Sequence, residues 1–308
     1  MLLVLEHLCQ ESSRLLVALS EPLLATLMGF LRGGLWCWAV AALLWQQTEL
    51  RSLKVLLCAW TLGDLMALLL VVWWLNHRPL GPISQPIDWR WIGQGIKTSI
   101  PLLLATLALR GLFTFDRYVI EWRHGHELLA AYVFYGGIAN AILSVIDASV
   151  IAFAFPIILS RAGDKNPQGY LKAVNQLGYH TLMLLVVQCG AVVGITHFLV
   201  NYLDNPVYSQ YFSVLPWVLL ATSVYVVGLV PHIAIYAKHR DRVIVASPFA
   251  GLVIFGGVLW LFEKDGDIRV VPLALTAAFT GILLIKTWDF LRLRKRLLVV
   301  STKNGLTA

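Results

Sequence analysis

The chain has 308 residues, of which 58% are hydrophobic and only 13% charged, with a formal net charge of +7; its mean hydropathy is +0.74. A soluble protein of this length has no core large enough for so much apolar surface, and about a quarter of its residues are normally charged. Composition therefore argues against a soluble domain. It argues equally against a nucleic-acid-binding one, since no basic stretch is long enough to form an exposed domain.

Taken in chain order, residues 1–19 form a marginal apolar segment that carries Glu6, Glu11 and Arg14. Its two glutamates and the lack of a basic start exclude a signal peptide. Stronger hydrophobic segments are predicted at 22–45, 52–75, 94–117, 127–159, 177–203, 207–232, 243–262 and 270–290. A spanning helix needs about 20 apolar residues, so the reading is an all-α integral membrane protein of eight or nine transmembrane helices. The 127–159 segment is long enough to require a kink or tilt, with Gly136–Gly137 and Pro156 as the expected points of distortion. Pro101, Pro216 and Pro248 also fall within or near spans. The connection 76–93, with Pro79, Pro82 and Pro86, reads as an extended cytoplasmic linker. It separates a first bundle, residues 1–75, from a six-helix bundle at 94–291, followed by a basic cytoplasmic tail at 292–308.

Alternate connections differ in charge. One set carries Arg78, Arg90 and Lys97, then Arg161, Lys165 and Lys172, then Lys238, Arg240 and Arg242; the last group is Lys286, Arg292, Arg294, Lys295, Arg296 and Lys303. The other set carries only Arg51 and Lys54, Arg117 and Arg123, and Lys264 and Arg269. The positive-inside rule then places the first set and the C-terminus in the cytoplasm.

Ionisable residues inside spans cost about 2.5–3.5 kcal/mol each on insertion scales and so mark sites. Arg32 and Asp64 lie on consecutive spans, each about 18–21 Å from the turn near 46–51. They are predicted either to pair, locking two helices, or to leave Arg32 facing a cavity that attracts an anionic group. Arg110 shares a helical stripe with Thr106, Thr114 and Arg117, and Asp147 shares one with Asn140 and Ser144. Such stripes face protein or water rather than lipid, which leaves interhelical hydrogen bonding and a ligand-lined cavity both open.

Other signals are weak. Cys9, Cys37, Cys58 and Cys189 have no metal-ligand spacing and read as thiols packed as small hydrophobes. His124, His126 and Glu127 read as a solvated outer loop. The many tryptophans suit interfacial belts and helix packing. No nucleophile–base pair, phosphate-binding glycine loop or paired carboxylate is recognisable, so no catalytic residue, metal or cofactor is expected.

The stretch QGIKTSIPLLLATLALRGLFTFDRYVI at 94–120, with FDRYVI at 115–120 its most distinctive piece, is followed by an aromatic-rich span and the run AFAFPIILSRAGDK at 152–165. Together they resemble the start of the second bundle in Wzx-like polysaccharide flippases of the multidrug/oligosaccharidyl-lipid/polysaccharide (MOP) exporter superfamily. The upstream EHLCQESSRLLVALSEPLLATLMGFLRGGLWCWAV at 6–40 resembles their late first bundle. The resemblance implies two six-helix bundles around a cavity with alternating access, of which this sequence lacks about three N-terminal helices. It also implies flipping of a polyprenyl-diphosphate-linked oligosaccharide across a bacterial inner membrane, for surface polysaccharide such as O-antigen. Arg32 and Arg110 would meet the diphosphate, while Asn140, Ser144 and Asp147 would meet sugar hydroxyls or, at Asp147, a coupling cation. Membrane lipids and a polysaccharide polymerase or chain-length regulator would be its partners. Two alternatives stay open: a cation-coupled drug antiporter of the same superfamily, and a non-transporting subunit of a polysaccharide assembly complex.

Overall fold

The computed structural model describes residues 1–19, 21–77, 88–164, 166–262 and 266–305, and among these every regular element is helical. Hydrocarbon offers no partner to a bare peptide group, and a helix satisfies its backbone within a single segment. Contacts divide the chain into two compact units, Met1–Asp88 and Trp89–Ala308. The division falls in the proline-rich connection, of which residues 78–87 lie outside the described ones. The second unit already begins its first helix at Trp89, so the expected linker is shorter than 76–93.

The first unit contains α1 (Leu2–Ala18), α2 (residues 22–46) and α3 (Leu53–Asn76). Ser52 caps α3 by accepting from the Val55 N–H at 3.4 Å. Cys9, Leu16, Met28, Ala67 and Val71 form the core of this unit. α2 is not uniform: Leu31–Leu35 is a single π-helical turn.

The second unit contains α4 (residues 89–124), α5 (residues 126–163), α6 (Pro167–Leu203), α7 (Leu215–Ala237), α8 (Asp241–Leu261) and α9 (Val270–Gly305). Between α4 and α5 the chain reverses at Gly125, with φ 82° and ψ −175°. Asp116 and Tyr132 would stand about 24 Å apart along a straight helix. Instead the Tyr132 hydroxyl donates to Asp116 Oδ2 at 2.6 Å, so α4 and α5 are an antiparallel hairpin. The expected outer loop at 118–126 is thus mostly helix, with one glycine making the turn. Leu112, Ile120, Leu128, Tyr135, Ile146, Val226 and Phe279 are the centre of the unit's main core.

Of the two points of distortion expected in α5, only the one at Pro156 has an irregular turn beside it. Gly136–Gly137 lie in regular helix, and the distortion is a π-helical turn at Asp147–Ile151, just before Pro156. Proline cannot donate to the carbonyl four residues back, and the widened turn precedes that gap. α6 also departs from hydropathy, starting at Pro167 rather than at 177. Asn166 accepts from the Gly169 N–H at 3.0 Å, and proline suits the first helical position. Capped polar turns extend helices past the apolar run that hydropathy detects. Toward α7 the reverse occurs: Pro206–Gln210 and Phe212–Val214 form two short helical pieces, and α7 begins only at Leu215. The expected tail at 292–308 is helical as far as Gly305, as the continuation of α9.

Among the described residues, seven helical stretches are long and apolar enough to cross a membrane. That of 75 residues, Trp89–Gly163, is the broken α4–α5 pair. On α6 the outward residues Leu182, Met183, Val186, Val187 and Phe198 are each more than half exposed, at 56–67%. Contiguous apolar surface of this kind suits lipid rather than water. Of the cysteines only Cys9 is buried, while Cys37 and Cys58 lie exposed and all four are free thiols.

Several basic residues used above to orient the chain also close helix ends. Lys238 Nζ donates to the Ala162 carbonyl at the end of α5 at 2.6 Å, and Arg161, in the last turn of α5, donates across to the Gly169 carbonyl in the first turn of α6 at 3.1 Å. Arg123 donates to Leu259 and Phe262 carbonyls at 3.1 and 3.2 Å, at the end of α8. Cations at helix C-termini satisfy orphan carbonyls and oppose the helix dipole. The Gly125 conformation belongs to a region essentially reserved for glycine, so Gly125→Ala should lower stability by about 1–3 kcal/mol. Thermal unfolding of the detergent-solubilised chain measures this.

Candidate functional site

In the first unit the charged residues singled out from sequence converge, though not as expected. Arg32 lies in the π turn of α2 and pairs with Glu6 of α1, Nη1 to Oε1 at 3.4 Å. The expected Arg32–Asp64 ion pair is not formed. Depth along consecutive spans made it plausible, but α1 packs against both α2 and α3 and supplies the nearer carboxylate. Asp64 is fully buried, and neither carboxylate oxygen has a hydrogen-bond donor. The charges acting on it are those of Glu6 and Arg32. Cys9 donates its thiol to the Asp64 carbonyl at 3.4 Å. Trp36 and Trp60 stack at 5.9 Å beside this group. Their indoles donate to the Arg32 carbonyl at 2.6 Å and to Glu6 Oε2 at 3.4 Å. One cation is thus held by one acid, with a second, buried acid near it, on a turn whose geometry is irregular.

In the second unit the hairpin brings the two polar stripes alongside. Arg110 lies fifteen residues before Gly125 and Asn140 fifteen after it, so these two are level. Asp147 sits about 10 Å further along its helix, and Arg110 makes no ion pair among the described residues. Thr106, Arg110, Thr114 and Arg117 are all exposed, as are Asn140, Ser144 and Asp147. The hydroxyls do not bridge helices. Thr106, Thr114 and Ser144 donate to carbonyls four residues back on their own helix, at 2.8, 2.9 and 3.3 Å. That local satisfaction leaves Arg110, Arg117, Asn140 and Asp147 as the groups free to engage something else. Asp147 opens the π turn of α5. π turns are rare and concentrate at functional sites, and both of these coincide with a charge that sequence had marked.

Two small cavities lie behind this face. One of about 30 Å³ is lined by Asp116, Arg117, Tyr132, Asn140 and Thr222, among others. Asp116, noted from sequence only as near an outer end, is 4% exposed. It accepts from the Tyr132 hydroxyl and, at 2.7 Å, from the Arg117 N–H. The other cavity, of about 40 Å³, is lined by Tyr225, His232 and Lys286 from α7 and α9, with Leu109 of α4. Tyr225 also feels the charges of Arg110 and Asp147. Among the described residues no group of three or more His, Cys, Asp or Glu could hold a metal. His126 meets Glu121 at 3.3 Å, both on the hairpin end.

No family model matches the sequence, and no curated protein matches it. Among solved structures, the chain superposes with a TM-score of 0.71 on an inward-facing multidrug resistance MATE family transporter of the MOP superfamily. Identity is 13%, and the match covers 92% of this chain and 66% of that one. A MATE point mutant gives 0.67 at 14% identity, covering 94% of this chain and 66% of that one. MATE in a bent conformation gives 0.64 at 14% identity, covering 92% and 64%. The chain has a MATE-like transporter fold. It spans about two thirds of the length of these transporters, and at such identity the MATE-like fold carries over without any ligand residue.

Within this fold, sequence reasoning missed four participants. Glu6 was read as a blemish in a marginal segment, although it supplies the partner of Arg32. Lys286 was placed with a basic cytoplasmic cluster, yet it is 6% exposed. The signal was present: Val271, Leu275, Phe279, Ile282, Lys286 and Asp289 follow one helical stripe. Tyr132 and Tyr225 gave no signal, because a tyrosine in an aromatic-rich span looks like packing. Removing the hydroxyl that bonds buried Asp116, as Tyr132→Phe, should cost about 1.5–3 kcal/mol. Chemical unfolding of the variant against wild type reads this, and Tyr225→Phe is the comparison expected to cost less.

Proposed function

We propose that the protein translocates a polyprenyl-diphosphate-linked oligosaccharide across a bacterial inner membrane, with its C-terminus cytoplasmic. The observation that carries this reading is the exposed face of α4 and α5, where Arg110 has no ion-pair partner and Asp147 is the one acid of the two stripes. An arginine turned toward lipid is costly, so this face implies water or an anionic ligand. A diphosphate accepts several charge-assisted hydrogen bonds from a guanidinium. Asn140 beside it offers both donor and acceptor to sugar hydroxyls. Arg32, already paired to Glu6, would meet the diphosphate only by exchanging that partner, so Arg110 and Arg117 have the leading role. Asp147 is the group placed to couple a cation to this movement. Membrane lipids and a polysaccharide polymerase or chain-length regulator are the partners that go with such an activity.

A second reading is a cation-coupled drug antiporter. It draws support from the multidrug resistance transporter among the similar folds, and from the two acids, Glu6 and Asp64, around Arg32. The two readings differ in substrate sign. Arg110 is exposed and has no ion pair, so Arg110→Ala should leave thermal stability within about 0.5 kcal/mol of wild type. Under the flippase reading it should lower surface-glycan export at least tenfold in cells dependent on this gene. Unchanged export, together with altered efflux of a cationic dye, would favour the antiporter instead.

A further inference from the structure

The second cavity holds a feature that neither reading uses. Lys286 is 94% removed from solvent, being 6% exposed, and it lines the cavity of about 40 Å³ together with His232 and Tyr225. Its ammonium has no hydrogen-bond acceptor and no carboxylate within ion-pair distance among the described residues. The nearest acid on its own helix, Asp289, is one turn away and is taken by Arg240 at 2.8 Å. α4 contributes only Leu109 to this lining, and α7 contributes Tyr225, Gly228, Leu229 and His232. His232 Nδ1 is buried with no partner.

Each polar side chain lining the cavity can donate. Lysine has three N–H donors, tyrosine one O–H, and imidazole at least one N–H. No acidic side chain lines the space. A lysine this buried needs a compensating charge or must give up its own, and a lining with an ammonium, a hydroxyl and an imidazole but no carboxylate suits an anion. The size sets the class, since a cavity of this volume admits one or two water-sized groups. It is too small for a diphosphate or a sugar.

We propose that Lys286, His232 and Tyr225 form a binding site for one small monovalent anion of about chloride size, inside the second helical unit and separate from the Arg110 face. The anion neutralises Lys286 and ties α7 to α9 where these helices pack.

The test uses the full chain purified in detergent, exchanged between sodium chloride and sodium gluconate at equal ionic strength. Chloride should raise the melting temperature by about 2–4 °C over gluconate. Lys286→Met should abolish that difference, and His232→Ala should reduce it. Because a variant can fail to fold, radiolabelled chloride binding to the wild-type chain is measured directly. Saturable uptake near one chloride per chain, displaced by bromide but not by gluconate, supports the site. Absence of saturable binding to wild type overturns it. So does a chloride effect of equal size in Lys286→Met.

Discussion

A charge carried into hydrocarbon has to meet an opposite charge, a pocket of water or a ligand, because solvation by lipid is not on offer. In this chain that constraint organises both units. Arg32 is answered by Glu6, and the cluster they make with Asp64 draws α1, α2 and α3 together. Asp116 is answered by Tyr132 and by a backbone N–H, and that pair closes the α4–α5 hairpin. Asp289 is answered by Arg240, joining the start of α8 to α9. These polar pairs fix a register between helices that apolar packing alone would leave free to slide. Where the described residues supply no answer, as at Arg110 and Lys286, the same constraint points to something bound.

The two π turns belong to this pattern. A π turn inserts an extra residue into the helix and rotates the residues beyond it relative to those before. Leu31–Leu35 and Asp147–Ile151 are such turns, and they hold Arg32 and Asp147. Neither is caused by charge. The first contains Gly33 and Gly34, and the second precedes Pro156, so the backbone has a local reason to distort in each case. The coincidence of weak helix with intramembrane charge is what sets these two turns apart from the rest of the bundle.

Much of the architecture was legible without coordinates. Hydropathy located nine segments, and among the described residues long helices follow them in the same order, because the length of most apolar runs is matched to the hydrocarbon they would cross. The resemblance of 94–120 to the second bundle of MOP exporters is in keeping with the MATE-like fold, although the finer Wzx-like reading rests on the substrate. Boundaries were less legible. The turns at 89–93 and 167–176 are helical, the second under the Asn166 cap, and a hydropathy profile is blind to a cap.

Sequence alone determined that the chain is a helical membrane protein with arginines and aspartates at span depth. Composition and run length are one-dimensional properties, and the bilayer reads them directly. Which charge meets which was decided only in three dimensions. Arg32 took Glu6 over Asp64 because α1 packs across both neighbours, a contact between segments more than twenty residues apart. Lys286 turned inward because its stripe on α9 faces α7, and the sign of the residue had no say in that. A helix fixes which residues share a face, and only packing decides what that face meets.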